Sequence, residues 1–176
     1  LDRVIDAAEE AGYERNSDYN GERQEGFGYF QVTQKNGRRW SAKTAYLDPA
    51  RIRKNLVIQS HAMATKLIVE DGTTHGVIYR VDSLERKVFA GREVLVSAGS
   101  VQSPQLLELS GIGRPEVLQR CGIKVCHRLI GVGENLQDHY TSRLVWRLKN
   151  SGSLNEKGRG LRLLGEVAKF AFGNSG

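Results

Sequence analysis

The residues with the clearest chemical potential lie in two glycine-containing segments, 93–113 and 131–139. In the first, the apolar run Val94-Leu95-Val96 stops at Ala98 and Gly99, which have almost no side chain. A strand that ends in small residues lets a ligand approach the backbone. Sheets of α/β proteins use strand, small-residue turn and helix to hold a cofactor at the carboxyl end of a strand. The segment is therefore either a cofactor-binding turn or an ordinary strand–helix unit of a core, and the residues alone leave both open.

The second segment reads Gly-Val-Gly-Glu-Asn-Leu-Gln-Asp-His over residues 131–139. Its glycines imply unusual backbone angles or a close approach to another group. Taken by themselves, Asp138 and His139 indicate a capped turn. A neighbouring Asp–His pair is not a catalytic dyad, because catalytic groups are recognised by their arrangement in space.

The elements around the first segment follow from local signals. The β-branched run at 94–96 is typical of a strand buried on both faces. Ser100 or Ser103 can cap the helix that follows, and Pro104 fits its first turn, where the missing N–H costs nothing. Gly111 is placed to end that helix.

Periodicity and turn residues predict the remaining elements. In chain order these are a helix within 1–12, a hairpin around Asn36-Gly37, a short helix capped by Ser41 and ended by Asp48-Pro49, a buried strand at 56–58, an antiparallel meander within 62–90, a helix at 115–122, a strand at 141–148, and a core-facing amphipathic helix from Leu154 onward.

Three strings resemble the glucose-methanol-choline (GMC) oxidoreductases, a family of FAD-dependent enzymes. The string Gly99-Ser100-x-x-Ser103-Pro104, continued by Ser-Gly-Ile-Gly at 110–113, resembles a family signature, and 131–139 resembles a segment that passes close to the flavin. The third is Asp-Tyr-Asn-Gly at 18–21 with Gln-x-Gly at 24–26, similar to the family's substrate-facing part, where Phe is common in place of Tyr19. The resemblance extends along essentially the whole chain.

The resemblance implies FAD as the cofactor and a set of residues close to it. The implied cofactor-binding residues are Ala64, Ala98, Gly99, Asn135, Asp138 and His139. In family members the residue at the place of Ala64, usually Val, holds the adenine edge through its backbone. Alanine keeps the same N–H and C=O, so this contact is expected to persist with less apolar cover.

Two parts of such an enzyme are expected outside this sequence. No complete Gly-x-Gly-x-x-Gly opens a helix here, so the pyrophosphate-binding turn is expected before Leu1. The family's active-site histidine is expected after Gly176, and no catalytic residue is assigned within the chain. Both ends look cut, and the fragment alone is expected to be inactive and poorly folded.

The expected fold class is α/β with a mixed α+β character. It comprises part of a two-dinucleotide-binding FAD domain with a β-meander, and part of an antiparallel substrate domain. Residues 51–140 are assigned to the FAD domain, 1–50 to a substrate-side segment, and 141–176 to a strand and helix of the substrate domain.

The function that the resemblance implies is oxidation of an alcohol CH–OH group, choline-like or primary, to an aldehyde or ketone by hydride transfer to flavin. The expected partners are a small-molecule alcohol and the remainder of the same chain, with the electron acceptor open. Two alternatives stay open, a GMC-fold lyase acting on cyanohydrins and a non-catalytic basic binding module.

Composition limits the other classes. The 176 residues carry a formal charge of +6, but the basic clusters lack the interleaved aromatic residues of a nucleic-acid groove, so no nucleic-acid partner is expected. Cys121 and Cys126 are not accompanied by a second Cys or His pair, so no metal site is predicted. Reduced thiols in a cytoplasmic protein are the preferred interpretation, with a disulfide as the alternative. No run is apolar enough to span a bilayer, and membrane association is left open.

Overall fold

The computed structural model describes residues 2–145 and 154–172. The described residues form two compact units, one drawn from 1–56 and 146–176 and the other from 57–145. The architecture is mixed α/β with antiparallel sheets, which confirms the expected fold class.

The first unit begins with helix α1 (Asp2–Glu10). Ile5 and Ala8 lie one turn apart on its buried side. Gly12 follows with φ +90°, a left-handed conformation that ends helices and that glycine adopts without steric cost. The helix predicted within residues 1–12 is therefore confirmed.

A turn-rich loop follows α1 and is held by side-chain amides. Asn16 Nδ2 donates to the carbonyls of Arg23 at 2.8 Å and Glu25 at 3.0 Å. Asp18 Oδ1 accepts from Gln31 Nε2 at 2.7 Å. The residues that predicted turns from sequence thus close the loop by bonding backbone and side chains up to thirteen positions away.

The hairpin predicted at Asn36-Gly37 is confirmed. Strands β1 (Gln34–Lys35) and β2 (Arg38–Arg39) pair antiparallel. Asn36 and Gly37 have φ of 52° and 67°, as a type I′ turn requires.

The short helical stretch after the hairpin is longer than predicted. Ser41 Oγ accepts from the Thr44 N–H at 3.4 Å, in the manner of a cap. A π-helical turn (Lys43–Leu47) then runs directly into helix α2 (Asp48–Ala50). The expectation that Asp48-Pro49 ends the helix is wrong, because Pro49 lies at the start of α2, where its missing N–H is not needed.

The C-terminal helical region consists of two helices, α5 (Leu154–Lys157) and α6 (Gly160–Phe172). A Cβ placed on Gly37 would lie 2.9 Å from the Phe170 ring, so α6 touches the hairpin turn. Leu161 and Leu164 nevertheless stay 84% and 64% exposed. The core-facing expectation is therefore not met among the described residues, because an amphipathic pattern does not itself supply the surface that covers it.

The second unit contains the predicted meander. Strands β3 (Met63–Glu70), β4 (Thr73–Val81) and β5 (Leu84–Phe89) form an antiparallel sheet in the order β3-β4-β5. Leu67 and Val81 are its buried hydrophobic residues, and Gly76 is buried as well. The meander is confirmed.

Helix α3 (Gly99–Leu109) follows the meander. It is followed by β6 (Ile112–Gly113), helix α4 (Pro115–Arg120) and β7 (His127–Arg128), which pairs parallel with β6. Gly111 has φ +83° and ends α3 as predicted. Pro104 lies in the second turn and not the first, because α3 already begins at Gly99.

Among the described residues, three of the predicted strands are not formed. Residues 56–58, 94–96 and 141–145 have no strand pairing, and 146–148 lie outside the described residues. Val57 is 88% exposed and Leu95 is 79% exposed. A strand forms only when a neighbour takes up its N–H and C=O groups. Within the described ranges none of these segments has such a neighbour.

Within 2–145 and 154–172, no helix is both long and apolar enough to cross a bilayer. In the same part of the chain, no three His, Cys, Asp or Glu residues are grouped closely enough to hold a metal ion. Both cysteines are free and exposed.

An ion-pair cluster between Arg15 and two carboxylates of α1 gives a prediction about pH. Arg15 Nη2 donates to Asp6 Oδ1 at 2.8 Å and to Glu9 Oε2 at 2.9 Å. The hydrogen bond from Arg15 holds the pKa of Glu9 below its usual 4.5. A carboxyl whose pKa is lowered by folding stabilises the fold at neutral pH, and this contribution is lost as pH falls below 4.5 through the lowered pKa.

We expect Arg15→Gln to raise the pKa of Glu9 towards its ordinary value, measured by an NMR titration of the Glu9 carboxyl carbon. Arg3→Gln, on the same helix, is the control and should leave that titration in place. A Glu9 pKa that does not respond to Arg15→Gln would contradict the assignment.

Candidate cofactor site

The elbow between the meander and α3 leaves its backbone accessible. Gly99 has φ +90°, and apart from its chain neighbours and the backbone of its own helix no atom lies within 4 Å of the position that a Cβ would take there. Ala98 precedes it and is exposed. The Ala98 N–H donates to Ser103 Oγ at 3.0 Å, which ties the elbow to the first turns of the helix. A ligand can therefore reach the backbone at this point without displacing a side chain.

A cavity of about 320 Å³ lies between the start of β3 and one side of α3. Its lining residues are Ala62, Met63, Ala64, Ala98, Gln102, Gln105, Leu106 and Leu109. The cavity brings together Ala64 and Ala98, two predicted cofactor residues that are 34 positions apart in sequence. Both present only a methyl group, so their main chain lies close to the cavity.

A β-bulge next to Ala64 shapes the wall that β3 contributes. Ala64 pairs with Tyr79 and Lys66 pairs with Ile78, so Thr65 is the extra residue. The Thr65 hydroxyl donates to the Ile78 carbonyl at 3.2 Å and holds the bulge against β4. Bulges bend a strand and redirect its side chains, and they recur beside binding sites. Sequence reasoning missed this residue, because a bulge depends on the register of the partner strand.

A larger cavity of about 980 Å³ lies between α3 and the loop 131–137. Asn135 is the predicted cofactor residue that lines it. Gln105 lines both cavities, so α3 separates them. Asp138 and His139 follow the loop and line neither cavity.

The loop 131–137 is fixed by contacts that sequence reasoning did not find. Val132 is buried, and Glu134 Oε1 pairs with Arg114 Nη2 at 3.1 Å. Gly133 has φ +76°, and a Cβ there would lie 3.1 Å from a carboxylate oxygen of Glu108. Asn135 also takes a positive φ of 57°, which asparagine tolerates better than most residues. The glycines were the available signal, since they predicted the close approach without naming Glu108 as the neighbour.

Asp138 and His139 are joined by a local hydrogen bond. Asp138 Oδ1 accepts from the main-chain N–H of His139 at 2.7 Å, and both residues are exposed. The bond uses the His139 backbone, and the imidazole takes no part in it. The backbone makes no turn at these two residues, so the capped turn that the residues alone indicate is not formed.

Comparison with known proteins identifies relatives of this chain. Residues 1–141 match the family model described as GMC oxidoreductase. The chain is 43% identical over 169 residues to the oxygen-dependent choline dehydrogenase of Photobacterium profundum, covering 96% of this chain and 29% of that protein. It is 43% identical over 135 residues to the mitochondrial choline dehydrogenase of Homo sapiens, covering 77% of this chain and 23% of that protein.

A solved structure shows the same likeness. The chain matches an FAD-dependent oxidoreductase from Chaetomium thermophilum with a TM-score of 0.69 and 25% sequence identity, over 78% of this chain and 25% of that one. The chain therefore spans less than a third of the length of these relatives.

Proposed function

Because this chain belongs to the GMC oxidoreductase family, we propose that it forms part of the cofactor site of an FAD-dependent enzyme that oxidises the CH–OH group of an alcohol. The observation that carries the proposal is the open elbow at Ala98 and Gly99, which lies inside the matched region and of which Ala98 faces β3 across a cavity. The chain would then be one part of a longer protein, called the longer protein below.

The residues present fit an FAD. At Gly99 the space that a side chain would fill is empty, and Ala98 and Ala64 add only methyl groups on opposite walls of the smaller cavity. We assign the adenine end to this cavity, with the main-chain groups of Ala64 as its hydrogen-bonding edge. Asn135 would approach the cofactor from the loop beside the larger cavity. Asp138 and His139 are assigned to its neighbourhood on the resemblance of 131–139 alone.

The chemistry divides between cofactor and protein. When bound, FAD accepts the hydride that leaves the carbinol carbon. The residues of this chain bind and orient the cofactor, and the substrate hydroxyl proton is taken by a base that we place outside residues 1–176. For that reason no residue of the chain is assigned a catalytic role.

The two compact units support an assignment of the chain to two functional domains. We assign 51–140 to the FAD domain, and 1–50 with 141–176 to the substrate side. The unit formed by 57–145, which holds the elbow and both cavities, supports the first assignment.

We propose a small alcohol, choline-like or primary, as the substrate. The support is that relatives at 43% identity carry the name choline dehydrogenase. A choline-like substrate is cationic, so its binding should weaken as salt concentration rises if an acidic group recognises it.

The test uses the longer protein, expressed intact. We expect a flavin absorption spectrum with about one FAD per chain, and reduction of an artificial electron acceptor when choline or a primary alcohol is added. Bound FAD with cyanohydrin cleavage but no alcohol oxidation would instead support the lyase. Protein without flavin that binds anionic lipid or nucleic acid in a salt-sensitive manner would support the basic binding module.

A further inference from the structure

The smaller cavity is bounded by two elements that are distant in sequence, so something must set their separation. Ala64 lies on β3, and Ala98 immediately precedes α3. The two elements pack against each other beyond the cavity, near the end of α3. A binding site keeps its shape only if such supporting contacts are rigid, with a tolerance of about 0.5 Å.

Ser110 joins the two elements at that point. It follows the last residue of α3 and has no exposed surface. Its hydroxyl donates to the Leu106 carbonyl at 2.6 Å and accepts from the Leu67 N–H at 2.8 Å. One buried oxygen therefore links the main chain of the helix to that of a strand 43 residues earlier.

Both ends of this link lead to the cavity. Leu106 lines the cavity itself, and Leu67 lies three residues beyond Ala64 on β3. The bulge at Thr65 lies between Leu67 and Ala64 and is held to β4, so β3 is fixed on both of its sides. Without the Ser110 hydroxyl, a buried N–H would lose its partner, and β3 would shift to find another.

We propose that Ser110 is a positioning residue for the cofactor site. It sets the separation of Ala64 from Ala98, and through it the affinity for the adenine end of FAD. The inference deepens the proposed function and rests on it.

The test compares Ser110→Ala with a matched core variant, Leu118→Val, in the longer protein. Leu118 is 1% exposed on α4 and lines neither cavity, so its truncation destabilises the same unit by another route. We expect Ser110→Ala to raise the FAD dissociation constant about tenfold, and Leu118→Val to leave it within about twofold of wild type. Amide hydrogen exchange at Leu67 should become faster in Ser110→Ala than in the control.

A third variant keeps the test decisive if Ser110→Ala folds poorly. Ser110→Cys keeps a similar shape and a weak donor and acceptor. It should recover part of the FAD affinity and part of the Leu67 protection. Equal losses of FAD affinity in Ser110→Ala and Leu118→Val would overturn the proposal, as would unchanged affinity in Ser110→Ala despite faster exchange at Leu67.

FAD binding by the wild-type longer protein distinguishes a failure of the proposed function from a failure of this inference alone. Wild-type longer protein that binds no FAD would overturn the proposed function and this inference with it. Wild-type protein that binds FAD, combined with either overturning result at Ser110, would remove this inference alone.

Discussion

The Gly99→Trp variant of the longer protein is expected to lose FAD affinity by at least about a hundredfold, which corresponds to about 2.7 kcal/mol. Two effects add. The backbone at Gly99 has φ +90°, where a residue with a Cβ is strained by about 1–2 kcal/mol, so we expect the elbow of the free variant to relax to another conformation, from which FAD binding must restore it. The indole would also fill the open space at the elbow, where the dinucleotide is proposed to lie.

Two further variants separate these effects. Gly99→Ala carries the backbone strain with little bulk, so it should lose only about tenfold in affinity. Gly91→Trp places the same indole at an exposed glycine of the same unit, which has open space around it and no positive φ, and should bind FAD like wild type. Equilibrium titration of the apoprotein with FAD measures all three. Normal flavin content in Gly99→Trp would contradict the placement of the cofactor.

The second large effect concerns stability and is predicted for Gly111→Ala. Gly111 ends α3 with φ +83°, and a Cβ there would overlap the Lys124 carbonyl and lie 2.8 Å from Cys126 Sγ. Backbone strain of about 1 kcal/mol and overpacking of about 1–3 kcal/mol should together lower the free energy of unfolding. We expect a loss of about 3 kcal/mol, because the nearest neighbour is main chain and cannot rotate away.

Gly122→Ala is the matched control for this prediction. Gly122 has φ +69° just past the end of α4, but nothing lies within 4 Å of its Cβ position. It should lose only the strain contribution of about 1 kcal/mol. Urea denaturation of the longer protein, monitored by a signal from this unit, gives both changes in the free energy of unfolding. Equal losses at the two glycines would show that Gly111 is not closely packed.

Elements that depend on a few neighbouring residues could be predicted from sequence. Asn36-Gly37 and Asp71-Gly72 favour positive φ and mark their turns. The turn at Asp82-Ser83 has the same left-handed angles, with φ of 48° and 68°, but serine has no comparable preference for positive φ. Residue types therefore predict a turn only where the turn residues strongly favour positive φ.

Elements that depend on distant partners could not be predicted. The run at 94–96 has the composition of a buried strand, yet composition cannot supply the neighbouring strand that it needs. The same limit applies to Ser110, which in the sequence is only part of the Ser-Gly-Ile-Gly string and in the structure bonds a strand 43 residues away.

The candidate site was predicted by a different kind of signal. Glycine and alanine at 98–99 indicated an accessible backbone on physical grounds. The pairing of that elbow with Ala64 came only from the resemblance, since no local property of Ala64 distinguishes it from other strand residues. That Gly133 lies beside the Glu108 carboxylate became visible only in the structure.

One of the two edge strands of the meander, β5, bears on self-association. β5 ends the sheet order, so within the described residues one side of its backbone has no strand partner. Such an edge can template the addition of a strand from another molecule, the first step towards an aggregate. Glu85, Arg86 and Lys87 occupy consecutive positions along it. A strand that paired with this edge would have to desolvate these charges, which alternate between the two faces of the sheet. The charges therefore oppose polymerisation through β5.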